Sequence, residues 1–466
     1  MNMKKIILIS SVVAILVACA GSGNGELIGV QDRPVWTPED PYGMVYIPQG
    51  SFTMGPSDQD VPFANVSQAK TVSVGAFYMD ETEITNNEYR QFTNWVRDSI
   101  IRSFLAKAEP ERFAKKYEGG DMKGEPITTG NAAAPYKIDW NVNLKLKDVD
   151  WETEGVGNVR DFLMRNNVYL GDDQLIDGIA QFNTTLYVYS YRVFDVQKAS
   201  VKSQRISNNG SGEGSGRKDF IHTVEVNIFP DTLTWTHDYS YSFNDPYTKN
   251  YFWHPAFDDY PVVGVNWKQA NAFSHWRTKM MNQFRRKNKQ PTLPDFRLPT
   301  ETEWEYAARG GYESSPYPWG GPYTRNVLGC FLANFKPLRG NYVDDGGLKT
   351  IKVASYNPNK YGLYDMSGNV AEWTSNAFDE SAFSYTHDLN MDYHYNAENW
   401  EDRSLEEDIN EVMKRKVIRG GSWKDVAYFV QNSTRTFEYQ DTSKSYIGFR
   451  CVVDFLGRDK KDFNKN

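Results

Sequence analysis

The stretch Tyr361–Trp373 limits most strongly what this chain can fold into. It places the carboxylates of Asp365 and Glu372 on either side of Gly368, between aromatic residues that favour burial. Because glycine accepts positive φ angles, such a segment can curl and direct backbone carbonyls and both carboxylates inward. Oxygen ligands of this kind suit Ca²⁺. The same residues are also compatible with an Asx-capped loop beside a core tryptophan that binds no ion, and the spacing is not that of an EF-hand.

Further motifs accompany this stretch in a definite order. They are PQGSFTMG at 48–55, MDETEITNNEY at 79–89, YPVVGVNW at 260–267, RLPTETEWEYAARGG at 297–311, YPWG at 317–320, RGGSW at 419–423 and IGFRC at 447–451. Together they resemble the formylglycine-generating-enzyme (FGE), or sulfatase-modifying-factor, domain from about Met44 to Val453. The resemblance implies an irregular α+β fold, related to the C-type-lectin-like type and carrying a large insertion.

The amino terminus has the pattern of an export signal. Lys4 and Lys5 precede an apolar run that ends at Ala18, and Cys19 follows directly. The sequence LVAC resembles a bacterial lipobox, which implies a diacylated Cys19; an ordinary signal peptide with an incidental cysteine is the alternative. We therefore predict a signal peptide at 1–18, a lipidated flexible tether at 19–33, the FGE-like domain at 34–456 and a polar tail at 457–466.

The charge balance restricts the classes of partner. The formal net charge of the whole chain is −8, and removal of residues 1–18, which hold two lysines and no acid, makes it −10. An acidic surface of this kind argues against nucleic acid or anionic lipid headgroups as partners. After the signal, no segment is long and apolar enough to form a transmembrane helix.

Three capping boxes predict the starts of three amphipathic helices. Thr85 and Glu88 open the first helix, Asn266 opens the second, and Thr300 opens the third, which ends at Gly310 and the glycine after it. The acidic residues at 301 and 303 are interpreted as capping and surface residues of that last helix start. Capped helices among short aromatic strands indicate an α+β fold.

Two long insertions interrupt the family pattern. The first runs from about 101 to 252 and contains alternating segments at 186–194 and 220–229, joined by a Gly/Ser-rich stretch at 208–216. This pattern predicts a β-hairpin with a long tip. The second insertion, at 379–414, is acidic and polar. Both are candidate docking surfaces, and both are also compatible with ordinary loops.

The resemblance also allows a prediction about catalysis. Family members that generate formylglycine use a pair of cysteines between the GGSW and GFR motifs to bind copper, for which thiolates are suitable ligands. Residues 424–447 contain no cysteine, and the corresponding positions are Asp425 and Val430. The sequence therefore predicts that the protein is not an enzyme and that it needs no copper.

The remaining reactive residue types give no alternative catalytic site. Cys330 and Cys451 either form a disulfide or are two ordinary buried thiols. The histidines lack the spacing of a zinc hydrolase, and the tryptophans at 304, 319, 373 and 423 are interpreted as core residues.

Calcium is the cofactor that the resemblance implies. Asp365 and Glu372 would bind through side chains, and Gly368 and Val370 through backbone carbonyls; the family usually has asparagine where Asp365 stands. A second family site would fall on Asn334, Phe335, Asp345 and Gly347, but the spacing between its halves is shorter here. The predicted role of either ion is structural.

Within the family, the lipobox, the segment RPVWTPEDPYGM at 33–44, the stretch at 85–100 and the large insertion resemble the GldK/PorK type of gliding-motility lipoprotein. That resemblance implies a ring-forming structural subunit of the type IX secretion machinery. Such a subunit is anchored to the outer membrane, faces the periplasm and binds a GldN/PorN-type subunit. The absence of an acidic cluster after Cys19 agrees with a periplasmic orientation. The alternatives are a GldJ-like lipoprotein and a carbohydrate-binding, ligand-binding or catalytically divergent member of the FGE family.

Overall fold

The structure is a computed structural model that divides the chain into two units, Met1–Glu39 and Asp40–Asn466. It describes residues 39–56, 69–116, 128–129, 132–133, 136–144, 152–153, 155–174, 181–200, 217–242, 244–337, 341, 343, 346–388, 391–394 and 411–457. The predicted signal peptide, the tether with Cys19, and the polar tail except Gly457 lie outside these residues. The fold below is that of the second unit.

Short strands make up the sheets of this unit. They are β1 (Met44–Ile47), β2 (Gly50–Met54), β3 (Lys70–Val74), β4 (Phe77–Asp80), β5 (Ala114–Lys116), β6 (Thr128–Thr129), β7 (Ala132–Ala133), β8 (Tyr136–Ile138), β9 (Glu152–Thr153), β10 (Gly157–Asn158), β11 (Val188–Phe194), β12 (Ile221–Asn227), β13 (Ala371–Ala377), β14 (Arg415–Arg419), β15 (Thr436–Tyr439), β16 (Ile447–Gly448) and β17 (Val452–Asp454). No single sheet is large enough to form a core by itself.

The helices are more unequal in length. They are α1 (Asn86–Ala108), α2 (Pro110–Phe113), α3 (Val159–Arg165), α4 (Val196–Ser200), α5 (Thr234–Asp238), α6 (Pro246–Asn250), α7 (Trp267–Lys287), α8 (Glu301–Arg309) and α9 (Ala382–Tyr385). Short 3₁₀ helices occupy Asp172–Gln174, Thr184–Leu186, Arg217–Phe220, Pro255–Phe257 and Glu411–Lys414. Mixed helices and short sheets confirm the predicted α+β class. None of the helices in the described part of the chain combines the length and apolarity needed to cross a bilayer.

Two sheets lie nearest the candidate site. The first has the order β1-β4-β17, so the strand that begins at Met44 and the one that begins at Val452 both pair antiparallel with β4. The second has the order β15-β14-β13-β16, and its β13–β16 pair is parallel. Smaller two-stranded sheets pair β2 with β3, β5 with β8, β6 with β7, β9 with β10, and β11 with β12.

The three predicted helix starts are confirmed. Thr85, Asn266 and Thr300 are the N-caps of α1, α7 and α8, and each forms a complete capping box. Gly310 ends α8 with a left-handed conformation at φ 57°, as the sequence predicts. One detail is wrong: Glu301 is not a surface residue, because it is 2% exposed and pairs with Arg435 at 2.5 Å.

The largest core cluster joins α1, α7 and the predicted hairpin. Tyr89 of α1 stacks on Phe273 of α7 with ring centroids 5.6 Å apart, and both are buried. Tyr189 of β11 contacts Phe92 edge to face at 5.2 Å. Burial of each such ring contributes about 2 kcal/mol. Aromatic side chains therefore supply much of the packing that long strands would provide elsewhere. The tryptophans at 304, 373 and 423 are buried as predicted, whereas the one at 319 is half-buried.

The predicted hairpin of the first insertion is confirmed in its strands. β11 and β12 pair antiparallel from Val188↔Asn227 to Phe194↔Ile221, whereas the Gly/Ser-rich connection at 208–216 lies outside the described residues. The inward face packs on α7, where Tyr191 stacks on His275 with ring centroids 4.3 Å apart. The chain before the hairpin continues α1 to Ala108, so the estimated insertion start near 101 falls inside that helix.

Replacing Thr300 by alanine tests how much the third capping box stabilises the fold. Thr300→Ala removes the side-chain oxygen that accepts a hydrogen bond from the Glu303 N–H at 3.2 Å. We expect the free energy of unfolding to fall by about 1 kcal/mol. Urea denaturation of the full mature chain measures it. Thr300→Ser keeps the oxygen and is the control; equal stability of the two variants would contradict the assignment.

Candidate functional site

The stretch that limits the fold forms a tight turn leading into β13. Asp365, Gly368 and Asn369 all have positive φ angles, of 56°, 80° and 61°. Glycine is needed at 368 for a second reason, because a Cβ atom there would collide with the carbonyl oxygen of Asn334. That carbonyl instead accepts a hydrogen bond from the backbone N–H of Asn369 at 2.8 Å. The turn therefore brings two distant loops together beside the predicted carboxylates.

A buried ion pair lies at the end of this turn. Arg450 donates from Nε and Nη2 to the two carboxylate oxygens of Glu372, at 2.7 and 2.6 Å. Trp304 Nε1 donates to the same carboxylate at 2.8 Å. The remaining guanidinium hydrogens reach the backbone carbonyls of Tyr364 and Asp80, at 2.9 and 3.1 Å. All the donors of Arg450 thus have partners although the side chain is fully buried.

Glu83 is a third carboxylate at this site that the sequence interpretation missed. It is completely buried, and its two oxygens accept hydrogen bonds from Val370 N at 3.0 Å and Asn369 Nδ2 at 2.6 Å. Its motif, MDETEITNNEY, was recognised from the sequence only as a family landmark. The available signal is an acidic residue between Thr82 and Ile84, in the short connection between β4 and α1.

The charges at this site do not balance. Glu83, Asp365 and Glu372 are all buried. Arg450, the partner of Glu372, is also the cation whose charge lowers the pKa of Glu83 and of Asp365. Burial, reinforced by the neighbouring carboxylates, raises the pKa of Glu83 well above its ordinary value. Burial also raises the pKa of Asp365 to about 6, against the hydrogen bond from Ala354 N–H. Protons on these carboxyl groups or a divalent cation would each offset the excess negative charge, so the residues are compatible with such an ion.

Of the four predicted calcium ligands, Asp365, Gly368 and Val370 lie in the turn and Glu372 lies in β13. Asp365 accepts from the Ala354 N–H through Oδ2, and within the described residues no hydrogen bond reaches its Oδ1. Among those residues, no three histidine, cysteine, aspartate or glutamate side chains are placed to hold an ion by themselves. A cation here would therefore also need backbone carbonyls, as the prediction for Gly368 and Val370 requires. Because Glu372 already binds Arg450, it has little remaining capacity for an ion.

The predicted second site is only partly described. Asn334 and Phe335 are buried, and Gly347 is also among the described residues. Asp345 lies outside them. The amide of Asn334 donates to the carbonyl oxygen of Lys349 at 2.9 Å. This hydrogen bond gives Asn334 a structural role without an ion. The second calcium site stays a prediction.

The positions expected to carry the cysteine pair have different surroundings. Asp425 accepts hydrogen bonds from the backbone N–H and the Oγ of Ser422, at 2.9 and 2.6 Å. Burial raises the pKa of Asp425, and these hydrogen bonds oppose the shift. Val430 is fully buried in a cluster that includes Tyr317 and Phe335. At these two positions the protein therefore has a hydrogen-bonded carboxyl group and an apolar side chain instead of two thiols.

The two described cysteines are free thiols. Cys451 is buried and lies 3.4 Å from the hydroxyl of Ser274, and burial raises the pKa of its thiol to about 12. Cys330 is half-buried. Of the two arrangements left open by the sequence, the structure shows unpaired thiols. Cys19 lies outside the described residues.

Comparison with known proteins identifies the family. The model of the sulfatase-modifying factor enzyme 1-like domain matches residues 32–160 and 217–455, and it leaves 161–216 unmatched. The formylglycine-generating enzyme of Bos taurus is 26% identical over 95% of this chain and 87% of its own length. The inactive C-alpha-formylglycine-generating enzyme 2 of Bos taurus is 31% identical over 42% of this chain and 50% of its own length. The predicted FGE domain is thereby confirmed.

These relatives correct the prediction that the protein is not an enzyme. The similarity to proteins named formylglycine-generating enzyme extends over almost the whole chain, so it points to an enzyme family. That prediction depended on two positions, Asp425 and Val430, whereas the similarity covers the entire domain. Among solved structures, PvdO from Pseudomonas aeruginosa matches with a TM-score of 0.42 and 16% identity, covering 91% of this chain and 100% of that one. From the family match, we conclude that this chain belongs to the sulfatase-modifying factor enzyme 1-like domain family.

Proposed function

We propose that the protein is a lipoprotein of the type IX secretion and gliding-motility machinery, built on an FGE-family domain. In this proposal Cys19 carries the lipid and holds the protein on the periplasmic side of the outer membrane. The domain then assembles into a ring with a GldN/PorN-type subunit. The lipobox and the resemblance to GldK/PorK-type lipoproteins support the proposal. A relation of the domain to the C-type-lectin-like type of fold belongs to the same proposal.

The observation that carries this proposal is the ordered hairpin in the first insertion. Residues 161–216 fall outside the family match, yet they contribute β11, which pairs with β12 and packs on the core. The outward face of the pair includes Phe194 and Ile221, which lie opposite each other and are 39% and 37% exposed. An ordered addition that presents apolar side chains to solvent is suited to bind another protein.

A catalytically divergent FGE-family protein is a second candidate. The observation in its favour is the half-buried Asp425, whose carboxyl group accepts a hydrogen bond from Ser422 at a position where the family resemblance places a cysteine of the enzymes. A carboxyl group with a raised pKa can transfer protons, which is a different chemistry from that of a thiol. The GldJ-like and carbohydrate-binding alternatives have no such specific observation in their favour.

We also propose that a structural calcium ion binds at the turn before β13. Asp365 with the carbonyls of Gly368 and Val370 would hold it, and Glu83 and Glu372 would supply charge beside it. The excess of buried carboxylates supports this assignment. Copper is not part of the proposal, because residues 424–447 provide no thiolate for it.

Complex formation tests the secretion-ring proposal directly. We expect the full mature chain with Cys19→Ala to form a stable complex of high mass when it is co-expressed with a GldN/PorN-type subunit. Size-exclusion chromatography with light scattering measures the mass, with calcium and with EDTA. A chain that remains a monomer beside that subunit would contradict the proposal, and binding to a different lipoprotein partner would favour the GldJ-like alternative.

A paired substitution tests the role of the hairpin face. We expect Phe194→Asp with Ile221→Asp to weaken binding to the partner at least about tenfold, because buried charges oppose an apolar contact. Phe284→Asp is the matched control, since Phe284 is 61% exposed on α7 and lies outside the insertion. Equal effects of the two changes on the dissociation constant would exclude the hairpin face as the contact.

Calcium binding is tested by the change that restores the usual family residue. Without calcium, we expect Asp365→Asn to stabilise the fold by about 1–2 kcal/mol, because it removes a buried charge that lacks a cation. With calcium, the wild type should gain more stability than the variant. Thermal unfolding in EDTA and in excess Ca²⁺ measures both effects.

Glu372→Gln is the contrasting variant for the same experiment. It should destabilise the fold by about 3 kcal/mol under both conditions, because Arg450 loses its charged partner. If wild type and Asp365→Asn respond identically to calcium, the ion does not bind at this turn. Elemental analysis of the purified wild type shows whether calcium is bound at all, and it should find no copper.

A further inference from the structure

A small hairpin between Thr324 and Leu332 exposes two aliphatic side chains at its tip. Val327 is fully exposed and Leu328 is 84% exposed. Tyr323, just before the hairpin, is 76% exposed. Single exposed apolar residues are ordinary on protein surfaces, but two adjacent ones on a protruding turn need a further explanation.

Asn326 satisfies the backbone of this turn almost by itself. Its carbonyl oxygen accepts from the Gly329 N–H at 3.0 Å, and its side-chain Oδ1 accepts from the N–H groups of Leu328 and Cys330 at 2.9 and 3.0 Å. The strands of the hairpin are closed by the hydrogen bond from the Asn326 N–H to the Cys330 carbonyl at 2.9 Å. The N–H groups of Leu328, Gly329 and Cys330 thus have partners within the turn, which lowers the cost of removing the turn from water.

The base of the hairpin is fixed to the core. The guanidinium of Arg325 lies 3.6 Å from the ring centroid of Phe331 and donates to the carbonyl oxygen of Gly329. Phe331 in turn contacts the buried Phe335 edge to face, with ring centroids 5.3 Å apart. Trp319 Nε1 also donates to the Tyr323 carbonyl oxygen at 2.8 Å. The tip is therefore held in one direction before it meets any ligand.

From this geometry we infer that the Val327–Leu328 tip inserts into the surface of a lipid bilayer. A convex tip of two side chains buries far less than the roughly 800 Å² that each partner contributes to a stable protein interface. A bilayer needs no complementary groove, so it can accept such a tip. Tyr323 and Arg325 stand directly behind the tip, and aromatic and long cationic side chains are favoured at the level of lipid headgroups.

The charge around the tip agrees with this occupant. Residues 322–331 contain a single charged residue, Arg325, and no acid, although the mature chain has a net charge of −10. The acidic remainder of the protein disfavours strongly anionic lipid, so a zwitterionic bilayer is the surface that fits.

The inference rests on the membrane-anchored part of the proposed function. The sequence predicts a tether at 19–33, and a flexible linker of that length would have a root-mean-square reach of about 20 Å. A tether of that length raises the effective concentration of the bilayer near the domain, so a weak insertion becomes significant. The tip would then be a second membrane contact that orients the domain.

The free, half-buried thiol of Cys330 provides the measurement. Because Cys451 is buried, an environment-sensitive dye should label Cys330 in the full mature chain with Cys19→Ala. An N-terminal hexahistidine tag binds this chain to phosphatidylcholine/phosphatidylethanolamine vesicles that contain a nickel-chelating lipid. The tag replaces the native anchor, so the outcome does not depend on lipidation or on the partner subunit. We expect a blue-shifted emission that is quenched by nitroxide-labelled lipid.

Two variants decide the result. Val327→Asp with Leu328→Asp should reduce the quenching at least about tenfold, because aspartate at this position opposes insertion. Leu233→Asp is the matched control, since Leu233 is 65% exposed elsewhere on the domain, and it should leave the quenching unchanged. Absence of quenching in the wild type, or equal quenching in the tip variant, would overturn the inference. Circular dichroism verifies that both variants remain folded.

Discussion

The ion pair between Arg450 and Glu372 is the interaction on which the centre of this fold depends. It joins the start of β13 to the segment just before β17, and its guanidinium also binds the backbone at the end of β4. Removing two charges from water is costly, and only a complete set of hydrogen bonds offsets that cost. Here Trp304 and two backbone carbonyls complete the set. The pair therefore fixes three distant parts of the chain at one point.

A second buried network repeats this solution around α8. Arg419 binds Glu305, and Arg309 binds the same carboxylate at 2.6 Å, with all three side chains buried. Glu305 also accepts from the Gly55 N–H at 3.0 Å. Because the sheets are small, much of the backbone lies in loops without ladder partners. Buried charged side chains provide hydrogen bonds to this backbone. This explains why a domain with so little regular structure has so many buried charged side chains.

Local signals in the sequence predicted local structure well. The capping boxes at Thr85, Asn266 and Thr300 depend on residues three positions apart, and the hairpin depends on simple alternation. Glu83 and Glu301 could not be placed in this way, because their partners lie far away in the chain. An acidic residue near a helix start or a strand has the same local pattern whether it is exposed or buried. Similarly, the absence of the cysteine pair is a property of two positions only, whereas the family match depends on the whole domain.

The order of strands in the first sheet has a consequence for biosynthesis. β4 pairs on one side with β1, which begins at Met44, and on the other with β17, which begins at Val452. Arg450 lies only two residues before β17, so the ion pair and the sheet are completed by the same late segment. A nascent chain therefore lacks both until the segment from Arg450 to Asp454 has been made. A polypeptide truncated before Arg450 would expose the edge of β4 to pairing with other chains and would leave the buried Glu372 carboxylate without its cation. Such a destabilised chain is the kind that chaperones and proteases remove.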